Sequence, residues 1–204
     1  MKRQTTVDEN ISLRAEVDRL REREAASREI LTVISQSRDD EGLVFGIILK
    51  KAAVLCGADQ AGLQLVNEAR TKIRLVADLG QKRIAFELGK EWPIESLISS
   101  AVSIRSGKII HIQDYAKTEL YKNGDPTAIH TVETEGVRTR LVVPLLQNAI
   151  AIGTIALSRH EVLPFDSSEI QLVETFAAQA VIAIENVRQF KALEKLNTEL
   201  GERV

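Results

Sequence analysis

Two apolar strand patterns running straight into one long amphipathic helix constrain this chain more than any other feature. The words RTRLVVPLL (138–146) and IAIGTIALS (150–158) flank the short segment Gln147-Asn148-Ala149, so they read as paired strands over 139–146 and 150–158. Asn148 tolerates a positive φ, which a connection that tight requires. LPFDSSE then leads into EIQLVETFAAQAVIAIENVRQF, where Leu172, Val173, Phe176, Ala180, Ile184 and Val187 form an apolar stripe fit to pack on a sheet or on a second subunit. The start of this helix can be argued locally. Asp166 is an N-cap with Glu169 three residues on, a capping box, and Phe165 with Ile170 supplies a hydrophobic staple. Ser167 is therefore the first helical residue.

Upstream, the apolar positions from Leu43 to Leu55 predict a helix over 41–56 that Gly57 stops. Gln60–Val66 and Lys72–Ala77 predict strands around the polar turn NEAR, and Ile109–Ile112 predicts another. Trp92-Pro93 reads as a break, followed by a helix from Ile94 to Ile104 closed by Gly107. The polar stretch 114–135, with Gly124, Asp125 and Pro126, reads as loop with short helices. Together these predict an α/β (α+β) arrangement: a mostly antiparallel five- or six-stranded sheet, helices packed on one face and a loop-covered cavity on the other.

Both ends differ from the middle. No Pro or Gly precedes Gly42, and Asn10, Leu13, Val17, Leu20, Glu24, Ser27, Leu31 and Ile34 follow a 3/4 spacing, a weak heptad seam. Arg14 with Asp18 and Glu24 with Arg28 support a helix by a few tenths of a kcal/mol each, roughly. A stripe so thin in large apolar residues needs a partner helix. Phe190, Leu193, Leu196, Leu200 and Val204 carry the second stripe onward to a last residue without a cap, which suggests a piece of a larger protein. The expected organisation is a signalling helix over 1–27, a globular domain over 28–190 and the start of a second signalling helix over 191–204.

Composition limits the function classes. With 44% hydrophobic and 27% charged residues the chain can bury one sizeable core, and a net charge of −2 provides no broad basic field for nucleic acid or an anionic membrane. No apolar leader follows Met1 and no apolar run approaches the ~18 residues of a membrane span, so a cytoplasmic location is expected. Cys56 is the lone cysteine, read as a small buried hydrophobe. His111, His130 and His160 are scattered without zinc-ligand spacing, and no G-x-S-x-G elbow or Gly-rich phosphate loop occurs. Neither a metal, a cofactor nor catalysis is expected.

The order of REILTVISQS, GIILKKAAVLCGAD, GKIIHIQDY, the strand pair, LPFDSSE and the long helix resembles the GAF domains of bacterial multidomain signalling proteins, with their GAF/PAS-like fold. The resemblance runs from Arg28 to Phe190. It implies a non-catalytic sensory domain, homodimeric through its terminal helices, that binds an unidentified small molecule and drives a C-terminal output domain. The words ALEKLNTELGERV are similar to linkers before nucleotide cyclases, and histidine kinases use comparable helices. Family members that reduce methionine sulfoxide need several cysteines. Bilin-binding members attach their chromophore through a cavity Cys that the segment Thr127–Thr131 lacks, and of the cyclic-nucleotide motif only Phe165 and Glu169 remain, with Ile170 in the place of an acid.

The expected cavity wall comprises Ile112, Asp114, Tyr115, Tyr121, His130, Arg138 and Arg140, with Asp114 and the two arginines placed to orient a ligand. Asp114 as a helix cap, with Arg138 and Arg140 as solvated strand-edge charges, is the competing reading. Leu13, Val17, Leu20, Leu31, Phe190, Leu193, Leu196 and Leu200 are the expected dimer and signalling positions. A ligand-free dimerisation and interaction spacer, or the effector domain of a transcriptional regulator, are the alternatives.

Overall fold

The computed structural model describes residues 2–36, 41–80 and 88–201. Its elements are helix α1 (Lys2–Gln36), α2 (Glu41–Leu55), strands β1 (Gln60–Val66), β2 (Lys72–Leu79) and β3 (Glu91–Pro93), α3 (Ser99–Ser106), and β4 (Ile110–Ile112). There follow a 3-10 turn (Tyr115–Lys117), α4 (Glu119–Lys122), α5 (Pro126–Ile129), a π-helical turn (His130–Thr134), β5 (Thr139–Gln147), β6 (Ile150–Arg159) and α6 (Ser167–Gly201).

Six strands form one sheet in the order β3-β2-β1-β6-β5-β4, with every neighbouring pair antiparallel. Most neighbours are also neighbours in sequence, and the pairing of β1 with β6 closes the sheet across the whole chain. Gly153 lies where this closure is tightest. A Cβ there would run into the carbonyl oxygen of Gln64 and come within 2.8 Å of Leu65 Cδ2. Only glycine lets β1 approach β6 this closely.

Alternation along the strands separates two faces. Ala61 and Leu63 of β1, Leu141, Val143 and Leu145 of β5, and Ile155 and Leu157 of β6 join α2 and α6 in the main core, where Phe45, Ile48, Phe176, Ala180 and Ile184 are buried. Cys56 is buried in it too, and burial pushes its thiol up to about 12, with Glu169 adding to the rise. The thiol is therefore protonated and inert at neutral pH.

Local chemistry sets α6 as expected. The Asp166 carboxylate accepts the Ser168 and Glu169 backbone N–H groups at 2.8 Å each, and Glu169 accepts the Asp166 N–H at 2.8 Å, so the capping box is reciprocal. The β5–β6 connection is a two-residue turn, with Gln147 facing Ile150 and positive φ at both Asn148 (49°) and Ala149 (64°). That is type I′ geometry.

Four expectations need correction. Trp92-Pro93 is strand rather than a break: Trp92 faces Ile73, and a proline is tolerated because β3 is a sheet edge. The following helix begins only at Ser99, although Gly107 (φ 65°) does close it, its N–H bonding Ser103 O at 2.8 Å. Asp18 pairs with Arg21 at 3.7 Å, whereas the Glu24–Arg28 pair forms at 2.5 Å. And α6 is, by length and composition, apolar enough to cross a membrane; more than half of its apolar window is buried in the protein, which is how a core helix satisfies the same criterion.

Helix α1 passes without interruption through residues 27 and 28. Its later part docks on the globule: Ala26 and Ile30 are buried, Arg23 donates to Ser168 Oγ at 2.9 Å, Gln179 donates to Ser27 Oγ at 2.5 Å, and Lys51 pairs with Glu29 at 2.6 Å. Numbers on α1 and α6 rise together through these contacts, so the helices run in the same sense. The exposed Leu13, Val17 and Leu20 thus extend from one end of the globule, and the exposed Leu193 and Leu196 from the other. Phe190 is half-buried; Leu31 and Leu200 lie outside the residues whose side chains are described.

Candidate functional site

The second face of the sheet is buried yet polar. Across its width one row of register partners reads Ile112 (β4), Arg140 (β5), Ser158 (β6) and Gln60 (β1). The next reads Ile110, Val142, Ala156 and Gly62, and the next Pro144, Thr154 and Gln64. Gln60, Gln64, Arg140, Thr154 and Ser158 are all buried. Ala156 and Gly62 put small residues in the row next to that of Arg140.

Short elements cover this face, in addition to the long helices expected on the other. Helix α3 packs against β4, β5 and β6, with Ser99, Ser100 and Ser103 buried. Val66, Ile73, Ala101, Ile104 and Ala151 form a small apolar cluster at one end, with Trp92 and Ile98 against it. At the other end Tyr115, Ala128 and Val137 form another, with Ile112, Leu120, Tyr121 and Val132. A cleft of about 160 Å³ opens between the start of α3 and α4–α5, walled by Trp92, Ile98, Tyr115, Leu120 and Ala128.

The expected site residues fall into two groups and two separate residues, His130 and Arg140. Ile112, Tyr115 and Tyr121 meet in the apolar cluster just described. The Tyr121 hydroxyl donates to Glu133 Oε1 at 3.2 Å, a bond that with partial burial raises its pKa.

Asp114 and Arg138 are committed to each other. Arg138 donates from Nε to Oδ1 (3.2 Å) and from one terminal nitrogen to Oδ1 (3.0 Å) and Oδ2 (3.2 Å). Asp114 also caps the 3-10 turn by accepting the Ala116 N–H at 3.2 Å. Burial by itself would push the carboxyl up, but the Arg138 hydrogen bonds and charge, the Ala116 N–H and Lys117 more than offset it and hold Asp114 below the usual carboxylate range. His130 stands apart on the π-helical turn, its Nε2 3.6 Å from Glu135 Oε1.

Arg140 is different in kind. It is 6% exposed and, among the described residues, its guanidinium makes no hydrogen bond and no ion pair; Nε is buried without a partner. Its register partner Ser158 is fully buried and its hydroxyl is also without a partner. Burying a guanidinium nitrogen without an acceptor costs free energy that a bound partner would recover.

Arg159, on the neighbouring strand, shows the opposite treatment. It is 4% exposed, and it donates to Glu169 Oε1 (2.6 Å) and to the carbonyls of Cys56 (2.5 Å), Gly57 (3.3 Å), Leu163 (2.8 Å) and Pro164 (3.2 Å), while lying 4.0 Å over the Phe165 ring. Its partners tie α2, β6 and the start of α6 together. His111 completes this corner by accepting the Phe165 N–H at Nε2 (3.1 Å). Burial, then the Arg159 charge, lower the imidazole pKa against the opposing pull of Glu169.

Ser158, Gln60, Gln64 and Thr154 share the polar face and were absent from the expected site. Their signal was alternation: Gln60-Gly62-Gln64 and Thr154-Ala156-Ser158 place polar or small residues on one side of strands whose other side is apolar. Among the described residues no group of three His, Cys, Asp or Glu side chains is placed to hold a metal.

Comparison with known proteins gives the following. The family model described as "GAF domain" matches residues 22–184. A search of curated proteins gives no match. Among solved structures, the GAF domain of an Acinetobacter phosphoenolpyruvate-protein phosphotransferase superposes with a TM-score of 0.66 at 16% identity, covering 81% of this chain and 93% of that one. Free methionine-R-sulfoxide reductase from Neisseria meningitidis, in complex with its substrate, gives 0.65 at 16% identity over 82% and 90%. The phycoerythrobilin-bound GAF domain of a cyanobacterial phytochrome gives 0.65 at 16% identity over 83% and 98%.

Proposed function

The chain belongs to the GAF domain family, and on that premise we propose that it is a non-catalytic sensory module that binds a small molecule over the second face of its sheet. GAF domains are in general ligand-binding regulatory modules. The single observation that carries the reading here is the buried, unpaired Arg140 beside the unpaired Ser158 hydroxyl. A face built only to be filled by its own side chains would place apolar residues there, because buried polar groups without partners destabilise the fold. The fold is able to enclose small molecules, since one similar protein holds its substrate and another phycoerythrobilin.

The output half of the proposal rests on the helices. The stripe Leu13, Val17, Leu20 and the residues Leu193 and Leu196 are exposed at opposite ends of the globule, which supports a parallel homodimer with an input end and an output end. A ligand shifts the meeting of those helices only to the extent that it binds one arrangement better than the other. The output domain it would drive is of the nucleotide-cyclase class, with histidine kinase as the second reading, on the wording of residues 192–204.

Two measurements test this. Mass spectrometry of small molecules released from the purified chain is expected to find one bound species; a protein that carries none, and that no compound stabilises, would defeat the sensory reading in favour of a spacer. Light scattering is expected to give a dimer, and a monomer at every working concentration would remove the helix-pairing half.

A further inference from the structure

Resting on the reading above, we infer that the ligand of this face is a compact organic acid whose carboxylate sits against Arg140 and Ser158. Three observations lead there. The first is the contrast between the two buried arginines. Where this protein uses an arginine as a structural tie, at Arg159, it supplies a carboxylate and four carbonyl oxygens. At Arg140, buried almost as completely, the described residues supply no acceptor. Asp114 is held by Arg138, and Glu135 lies 3.6 Å from His130 Nε2. A neutral ligand would satisfy hydrogen bonds but leave the charge uncompensated, so the missing partner is an anion.

The second observation is the pairing of donors. Arg140 Nε and Ser158 Oγ belong to register partners on the same face, and neither has a partner. A guanidinium edge matches the two oxygens of a carboxylate, and a serine hydroxyl adds a rotatable donor.

The third is size and lining. The cleft of about 160 Å³ is lined by neither Arg140 nor Ser158; it shares Tyr115 and Ala128 with the cluster that contains Ile112, the other register neighbour of Arg140, and so is placed to take the body of a ligand rather than its carboxylate. Trp92, Ile98, Tyr115 and Leu120 give it an apolar wall, and Ser96, Thr127 and Asp125, the last accepting the Ala128 N–H, give it a polar one. That volume is below the ~300–1,000 Å³ of pockets for drug-sized ligands, which suits an acid with a short apolar body. A single cation also fits a carboxylate better than a phosphate dianion.

The test uses the whole chain. Thermal unfolding is followed with acetate, succinate, benzoate, inorganic phosphate and, as the uncharged isostere of benzoate, benzamide. At least one carboxylate is expected to raise the unfolding temperature saturably while benzamide does not. Arg140→Met is expected to weaken that carboxylate by at least ~30-fold, as removal of a buried charge partner does. Unliganded Arg140→Met is expected to melt no lower than the parent, because it removes an unpaired charge; a purely structural arginine would give the opposite sign. Ser158→Ala, a mild change, is expected to weaken the same carboxylate and serves if Arg140→Met does not fold.

No response to any carboxylate, or a response to inorganic phosphate alone, would overturn the assignment. Recovery of a neutral molecule from the purified protein would also overturn it while leaving the sensory reading intact. A chain that carries nothing and responds to nothing would defeat both.

Discussion

Arg159→Met should be among the most damaging single changes available to this protein. The guanidinium is 4% exposed and its Glu169 partner lies 2.6 Å away, itself largely buried. Removing it leaves the Glu169 carboxylate and the carbonyls of Cys56, Gly57, Leu163 and Pro164 without their donor. Breaking a buried ion pair from one side costs about 3–5 kcal/mol, because the remaining charge stays desolvated. For a domain of this size each kcal/mol moves the midpoint by roughly 2–4 °C, so the expected fall is on the order of 6–20 °C. Urea unfolding midpoints and melting temperatures read it directly. Glu169→Gln, which keeps length and an acceptor, should cost less, about 1–3 kcal/mol. The double variant Arg159→Met/Glu169→Leu should be less damaged than the sum of its parts, with a coupling of at least ~1 kcal/mol. If Arg159→Met cost under about 1 kcal/mol, the corner would not be held by this arginine, and its contrast with Arg140 would lose its meaning.

Two further outcomes follow from particular geometries. Ala149 sits at φ 64° in the β5–β6 turn, where an L side chain is strained, so Ala149→Gly should stabilise by ~0.5–1 kcal/mol in chemical denaturation; a loss would show that the turn is not type I′ in solution. His111 has a lowered pKa in the folded protein, so the unfolded chain binds the extra proton more readily. Its stabilising contribution is complete above the unfolded value of about 6.5 and is lost as pH falls through the folded value. Urea midpoints should therefore decline as pH drops from neutral toward 5, and His111→Gln, which retains an acceptor for the Phe165 N–H, should flatten that decline. The capping Asp166 and the paired Asp114 are also depressed, but as carboxylates they act only below about pH 4, which separates them from the histidine. An unchanged slope in His111→Gln would assign the decline to another group.

Sequence alone determined what is local in this protein. Capping at Asp166 and Glu169, the termination at Gly107 and the strand pair around Asn148 depend on residues a few positions apart, and each is present where the chain places it. Period-two alternation in β1, β5 and β6 likewise carried the information for a polar second face, because side chains on a strand must point alternately to its two sides. Tertiary structure decided the rest. Trp92-Pro93 becomes strand only because Ile73 offers it an edge to pair with, and β1 meets β6 only because Gly153 lets two segments some ninety residues apart come together. Most consequentially, Arg138, Arg140 and Arg159 are alike in the sequence, three arginines at strand positions or just before one. Their different fates, paired with Asp114, unpaired beside Ser158, and enclosed by Glu169 and four carbonyls, follow from which distant groups folding brings within hydrogen-bond reach. A charge's partner is a matter of distance in space, and no spacing along the chain encodes it.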